Sequence, residues 1–442
     1  MLLIGNGNVF TMQEETPFFK NGAVLIEGNK IIEVGDGTSL KDKYPQAEFI
    51  DAKGGVIMPA FINAHEHIYS AMARGLSIKG YQAKSFPDIL EGMWWTMDRH
   101  LTLEQTKQSA YATYLECIKN GVTTVFDHHA SYKAVEGSLF AIEEAAKEMG
   151  VRSCLCYEVS DRDGEEKAKQ AIAENVSYIR HAKEDASEMT AGMFGLHASF
   201  TLSDKTLELC AKEKTKDAGY HIHVAEGIED VTHCLKTYGK RVVDRLHEFS
   251  ILGEKTIAVH GIYINPHEMD LLKETKTVLV HNPESNMGNA CGCPPVLEMM
   301  KRGVTVGLGT DGYTHDMLES YKVANILHKH SLCDATAAWG EIPEMLFSSN
   351  RKIAAKYFKT PLGVLEKGAA ADVIVLDYKP YTPMNETNRN GHILFGMSGR
   401  NVTHTIAGGK ILMKDRELIQ IDEERILAQI KEESIKLWEK LV

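Results

Sequence analysis

The sequence predicts an α/β protein: a (β/α)8 barrel of the TIM type, with a small β-sandwich domain formed by the N- and C-terminal segments. Three observations predict it. Eight short apolar runs alternate with helix-patterned segments in the middle of the chain. Polar side chains of metal-ligating type close nearly every run. Both ends are β-rich while the middle is not. Apolar strands separated by amphipathic helices imply a parallel sheet covered on both faces, and eight such units imply a barrel with its chemistry at the C-terminal ends of the strands.

Taken in order, the chain opens with Ala23–Glu27 and Lys30–Val34 around Gly28-Asn29, a hairpin-like signal. The eight runs follow: Val56–His67, Thr123–Ala130, Arg152–Val159, Gly192–Ala198, Tyr220–Glu226, Thr256–Ile264, Thr277–Glu284 and Val304–Gly312. Helical patterns fill Leu103–Asn120, Gly137–Met149, Glu165–Ala186, Asp204–Lys216 and Pro266–Glu274. Strand patterns return in Ala371–Asp377, Val402–Ala407 and Lys410–Met413, with Gly408-Gly409 as a turn, and a helix is predicted from Asp422 to Leu441. Residues 1–54 and 364–442 are therefore assigned to the small domain and 55–363 to the barrel. An open doubly wound sheet lacks support, because no G-x-G-x-x-G follows a strand and no phosphate-binding loop is present.

Composition narrows the function. The chain has 442 residues, 43% hydrophobic and 25% charged, with a net charge of −12. That balance, without a long basic block, argues against nucleic acid as a partner and favours a small neutral or weakly charged molecule. Eight cysteines in so long a chain form no disulfide framework. No apolar stretch approaches the roughly 20 residues of a membrane helix, and the first residues carry no basic leader. A cytoplasmic location and no membrane partner are expected.

The chemistry sits at the strand ends. The first run closes on His65 and His67, which share a face because side chains alternate along a strand. Asp127-His128-His129 close the second, His197 the fourth, and His221 through Glu226 the fifth. The sixth carries His260, the seventh His281-Asn282 and the eighth Asp311. One buried histidine is ordinarily a core residue; the repetition is not. Glu66 is expected to turn away from His65 and His67, and His221 away from His223.

These residues lie in motifs that resemble the amidohydrolase superfamily, in its cytosine deaminase and triazine chlorohydrolase branch. The motifs are Met58-Pro59-Ala60-Phe61-Ile62-Asn63-Ala64-His65-Glu66-His67, His223-Val224-Ala225-Glu226, His260-Gly261, His281-Asn282-Pro283-Glu284-Ser285-Asn286, Gly309-Thr310-Asp311-Gly312 and Gly368-Ala369-Ala370-Ala371-Asp372-Val373. Trp94-Trp95, Arg99, Asp127 to Ser131 and Phe395-Gly396-Met397 resemble an aminohydrolase subgroup associated with purine breakdown.

The resemblance implies that His65, His67, His223 and Asp311 bind one divalent metal, Zn²⁺ or alternatively Fe²⁺, a set with no thiolate. It implies that Glu226 shuttles protons, and that Asp311 both ligates and accepts a proton. His260 would steady the oxyanion or the hydroxide, or else serve as a second metal ligand. Ala191–Phe200 offers no Lys, Asp, Glu or Cys to bridge two ions, which favours a single metal. His197, His128 and Trp95 are the expected substrate contacts; His128 and His129 keep the alternatives of a second metal or of bracing the first.

The activity implied is deamination of a purine-like heterocycle by metal-bound hydroxide. Hydrolytic dechlorination or cyclic amide opening on the same site remains the alternative. A homo-oligomer, dimer or tetramer, is expected from the resemblance alone. Cys291 and Cys293 are expected to be inert loop thiols.

Overall fold

The computed structural model describes all 442 residues. At its centre lie two arcs of parallel strands. The first arc contains Phe61–Glu66, Val122–His129, Arg152–Tyr157 and Thr190–Gly192; the second contains Phe194–Ala198, Tyr220–Val224, Ile257–His260, Val278–His281 and Val306–Leu308. Helices Leu103–Lys119, Ser138–Met149, Glu165–Glu184, Asp204–Glu213 and Pro266–Glu274 lie between the strands in the chain. Local chemistry sets their starts. Thr102 and Gln105 cap one helix reciprocally, and Asn265 and Glu268 do the same for another with Pro266 in its first turn.

The sequence predicts one ring, whereas the ladder hydrogen bonds form two arcs that meet at two seams. The fourth predicted strand makes the first seam by dividing at Met193. Thr190–Gly192 pairs with the strand ending at Tyr157, while Phe194–Ala198 pairs with Tyr220–Val224. The Met193 N–H still donates to the Leu155 carbonyl at 3.0 Å, and Val159 bridges Leu196.

At the second seam the His65 carbonyl accepts from the Thr310 and Asp311 N–H groups at 3.1 and 3.0 Å. The fully buried Asn350 side chain works as a mortise one turn lower. Its Nδ2 donates to the Ile62 and Leu308 carbonyls, both at 2.8 Å, and its Oδ1 accepts the Leu308 N–H at 2.8 Å. One amide thereby satisfies backbone groups of two strands that are too far apart there to pair with each other.

The two chain ends form one continuous mixed sheet of nine strands, not two separate hydrogen-bonded layers. Its order is Glu417–Leu418, Lys410–Lys414, Val402–Ala407, Val373–Leu376, Val56–Pro59, Leu2–Phe10, Phe18–Glu27 and Lys30–Asp36, with Glu48–Asp51 added beside Leu2–Phe10. Alternation gives it two apolar faces: Ile4, Val24, Ile57 and Val373 pack in one cluster, Leu3, Ala23, Leu25 and Leu40 in another.

The apolar run Val56–His67 accordingly serves two sheets. Val56–Pro59 joins the terminal sheet, and after Ala60 the chain enters the first arc as Phe61–Glu66. The last helix, Glu423–Trp438, lies against Leu103–Lys119, and the Trp438 indole N–H donates to the Met72 carbonyl at 2.8 Å. No helix is long and apolar enough to cross a membrane.

The seam gives a stability prediction. Asn350→Ala strands two carbonyls and one N–H in the interior, and buried groups left unpaired cost about 1–3 kcal/mol each before relaxation. A loss of about 2–4 kcal/mol in urea unfolding is expected; a midpoint equal to wild type would show that the seam holds without the amide.

Candidate functional site

The strand ends converge on one point. The first strand delivers His65 and His67 on one face, and the His67 Nε2 lies 3.2 Å from the His223 Nε2 and 3.3 Å from the Asp311 Oδ1. The His65 Nε2 is 3.9 Å from the same carboxylate oxygen. His65, His67 and His223 form one group able to hold a metal, and His65, His260 and Asp311 form an overlapping one. Around a tetrahedral Zn²⁺ with bonds of about 2.0–2.1 Å, neighbouring ligand atoms stand about 3.3 Å apart. The closer separations match that spacing.

The imidazoles are pre-set with lone pairs inward. The His67 Nδ1 donates to the His128 carbonyl at 2.6 Å, and the His223 Nδ1 donates to the His197 carbonyl at 3.0 Å. Each Nε2 is left bare, the arrangement that outer partners impose on metal-binding histidines. The His65 Nε2 and the His260 Nε2 are buried and have no hydrogen-bond partner. Burial, then the surrounding imidazoles, drives the pKa values of His65 and His223 well below the ordinary range. Neutral rings with inward lone pairs are a cage for a cation.

The two carboxylates differ. Burial, reinforced by Asp311 and Asp230, raises the Glu226 pKa well above its ordinary value. Burial opposes ionisation of Asp311 as well, but His67 and His260 outweigh it and hold that carboxyl below its ordinary value. The His260 Nε2 stands between them, 3.4 Å from the Glu226 Oε2 and 3.5 Å from the Asp311 Oδ2. Environments that push two carboxyl groups apart separate an acid from a base.

Backbone strain accompanies the chemistry. Ala225, His260 and Asp311 have φ of +48°, +70° and +55°, a region that non-glycine residues occupy at a cost and that clusters at functional sites. Gly309, before Thr310-Asp311, admits no side chain: a Cβ there would lie 2.9 Å from the His65 Cβ and 2.5 Å from the Asn282 Oδ1.

A cleft opens above this cluster, lined by His67, His223, Glu226 and Asp311 and by Tyr69, Phe86, Trp94, Trp95, Glu158, His197 and Tyr313. Both tryptophans face it; Trp95 meets the His197 ring edge-on at 5.9 Å and Trp94 meets Tyr69 at 6.1 Å. His128 is fully buried and does not line the cavity. Its Nε2 donates to the Leu196 carbonyl at 3.0 Å, behind the donor cluster. His129 is tied to the Ser131 hydroxyl at 2.9 Å, and burial pushes its pKa down to about 3.

Two expectations about alternation have different outcomes. Glu66 does turn away, into contacts with Asn63, Thr310 and His315 at 2.9, 2.8 and 3.2 Å. His221 does not turn away from His223, because residues two apart on a strand share a face. Its Nε2 lies 2.9 Å from the His65 Nδ1 and fixes that ring.

Several residues of the site escape sequence reasoning. The His260 Nδ1 donates to the Asn286 Oδ1 at 2.8 Å; the Asn286 Nδ2 then faces the His281 Nδ1 at 3.4 Å, the His281 Nε2 lies 3.2 Å from the His328 Nε2, and the His328 Nδ1 is 3.5 Å from the Cys293 Sγ. Glu158, with Arg162 and Asp98 behind it, is the other. Its position at the end of the third run was the available signal.

The family model for amidohydrolases matches residues 56–412. The chain is 32% identical over 451 residues to a 5'-deoxyadenosine deaminase of Methanosarcina mazei, covering 100% of this chain and 98% of the relative. It is 34% identical over 431 residues to a 5-methylthioadenosine/S-adenosylhomocysteine deaminase of Thermococcus onnurineus, covering 94% and 95%. Among solved structures, a zinc-bound adenosine deaminase of Xanthomonas campestris aligns with a TM-score of 0.86 at 21% identity over 99% of this chain and 98% of that one. A zinc complex of atrazine chlorohydrolase from Arthrobacter aurescens gives 0.82 at 22% over 99% and 100%. At those identities the structural likeness concerns the fold, which is α/β of the TIM-barrel type.

The cysteines provide a check on the loop beside the site. Burial raises the thiol pKa of both Cys291 and Cys293, whereas Cys333 is exposed. Alkylation by iodoacetamide at neutral pH is expected to label Cys333 first, by at least about tenfold in rate, since thiolate fraction and access govern reactivity; peptide mass mapping showing early labelling of Cys293 would contradict it.

Proposed function

The chain belongs to the amidohydrolase family, and from that premise we propose that it hydrolyses a carbon–nitrogen bond of a purine-like heterocycle and releases ammonia. It is a hydrolase acting on C–N bonds other than peptide bonds, as its named deaminase relatives are. The observation that carries the reading is the juxtaposition of Glu226, His260 and Asp311 within 3.5 Å contacts, directly beside the inward-facing imidazoles, with both carboxylates lining the cavity.

His65, His67, His223 and Asp311 would hold one divalent cation, Zn²⁺ by the nitrogen-rich donor set. When bound, such an ion supplies Lewis acidity that brings the pKa of water from 15.7 to about 7. The chain's residues manage the rest. Glu226, whose burial favours the protonated carboxyl, gives a proton to the ring nitrogen beside the carbon under attack. Asp311, ionised, takes one proton from the attacking water and passes it to the amino group, which leaves as ammonia; as the carbonyl forms, the remaining hydroxyl proton returns to Glu226. His260, steadied through the Asn286 amide, orients that water between the two carboxyl groups. Trp94 and Trp95 supply flat apolar surface for the heterocycle, and His197 meets its edge.

In this reading the two arcs act as one closed barrel, residues 55–363 form its body, and the terminal segments form the accessory β-domain. The eight free thiols are compatible with a reducing, cytoplasmic setting.

Two tests follow from the geometry. Plasma mass spectrometry is expected to find about one equivalent of metal per chain, with His67→Ala and His223→Ala retaining less than about a tenth of it, since each removes a ligand of the cage; two equivalents, or full retention, would contradict the mononuclear site. Glu226→Gln is expected to keep its metal and lose about 10²-fold or more in kcat when ammonia release is followed across purines, pterins and pyrimidines. Near-normal turnover in that variant would remove Glu226 from the mechanism.

A further inference from the structure

We infer that Glu158 is a specificity residue: its free carboxylate oxygen receives hydroxyl groups of a sugar-like substituent, so that the site takes a neutral nucleoside in preference to a free base or a nucleotide. The inference rests on the deamination site proposed above and adds the substrate class.

Glu158 follows the third strand, is only 3% exposed, and lines the cavity wall. A buried carboxylate ordinarily has both oxygens satisfied. Here the Oε1 accepts from the Arg162 Nη2 at 3.2 Å. The Oε2 has only the His128 Nδ1 near it, at 3.9 Å, beyond hydrogen-bonding range. One lone-pair face is therefore held toward the cavity without a protein donor.

The mounting behind it is rigid. Arg162 is buried, forms a close ion pair with Asp98, and lays its guanidinium 4.1 Å over the Tyr132 ring and 5.0 Å over the Trp95 ring. A guanidinium shared among the carboxylates of Asp98, Glu158 and Asp163 and two aromatic faces has a single orientation, and Glu158 inherits it. Arg162 does not itself line the cavity.

The neighbouring wall group has the same hydrogen-bonding sense. The Thr201 hydroxyl donates to the Ala198 carbonyl at 3.1 Å, so its oxygen accepts the His197 Nδ1–H at 2.7 Å. The His197 Nε2 is left as a second acceptor facing the cavity. The missing partners are donors, and they belong to the ligand.

Charge decides which donors. The lining residues include Glu158, Glu226 and Asp311 and no lysine or arginine. A phosphate or carboxylate on this wall would lie beside the Glu158 carboxylate with no basic side chain in the lining to pair it, an arrangement that disfavours a second anion there. A hydroxyl satisfies the Oε2 without importing a charge. Position points the same way. His128 separates Glu158 from the donor cluster, its ring centre 5.5 Å from that of His67. The recognised group is therefore an appendage of the heterocycle, one imidazole away from the reacting carbon.

The test compares wild type, Glu158→Gln and Glu158→Asp, each folded by circular dichroism and loaded with zinc, using 5'-deoxyadenosine, adenine and adenosine 5'-monophosphate as probes. Binding is read from tryptophan quenching and titration calorimetry, and turnover from ammonia release. Wild type is expected to bind the nucleoside about 10²-fold or more tighter than the base, because a site built for a hydroxyl discriminates strongly against its absence, and to bind the nucleotide no better than the base. In both variants the nucleoside-to-base ratio is expected to fall to within about tenfold, with the loss in KM more than in kcat. A wild type that binds base and nucleoside alike, tight nucleotide binding, or a ratio preserved in both variants would overturn the assignment. So would an aminoalkyl-adenine binding more tightly than the nucleoside, which would mark a cation site. Selective nucleoside binding without ammonia release would instead remove the deamination reading and leave the role of Glu158 standing.

Discussion

Desolvation of a ring of imidazoles is the constraint on which the rest of this structure depends. His65, His128, His221, His223 and His260 lie buried around one point, and none can take a proton there without facing the others in a medium that screens charge poorly. Burial leaves them neutral, so their hydrogen bonds become directional. Each inward lone pair exists because an outward N–H is engaged by a backbone carbonyl, a neighbouring ring or the Asn286 amide. The same low dielectric separates Glu226 from Asp311. The acid lies where burial dominates, and the base lies where two imidazoles face it. Inward lone pairs able to hold a cation and two carboxyl groups with opposed pKa shifts thus come from one physical cause.

Much of this was legible in the sequence because strand ends are legible. An apolar run stops where its chain leaves the core, and a His, Asp or Glu at that stop marks the rim. That reasoning locates His65, His67, His223, Glu226, His260 and Asp311 in one cluster. The same reasoning, applied to the third run, reaches Glu158. A lone glutamate beside Val159, however, has no partner at metal-ligand spacing to mark it.

Other features have no sequence signal. Hydropathy reports that Val56–His67 is buried but not by which sheet, so the change of allegiance at Ala60 is invisible; the division at Met193 is invisible for the same reason. Asn350 is a mid-helix polar residue of ordinary aspect. Only the gap between the Ile62 and Leu308 carbonyls explains why an amide is there. His221 is the opposite case: residues two apart on a strand share a face, so alternation itself places His221 with His223, beside the His65 ring.

The strand order of the terminal sheet has a consequence for how the protein is made. Val56–Pro59 lies between Leu2–Phe10 and Val373–Leu376. During synthesis it emerges early with only one neighbour, and the other side of its ladder stays open until more than 300 further residues have left the ribosome. Domains fold as units as their chain emerges, and here the strand that leads into the first metal histidines cannot finish pairing on that schedule. Pairing with Leu2–Phe10 is available early, whereas the second side of the ladder waits for Val373–Leu376 to emerge. Until then one side of Val56–Pro59 is an open apolar strand edge of the kind that templates pairing with another chain.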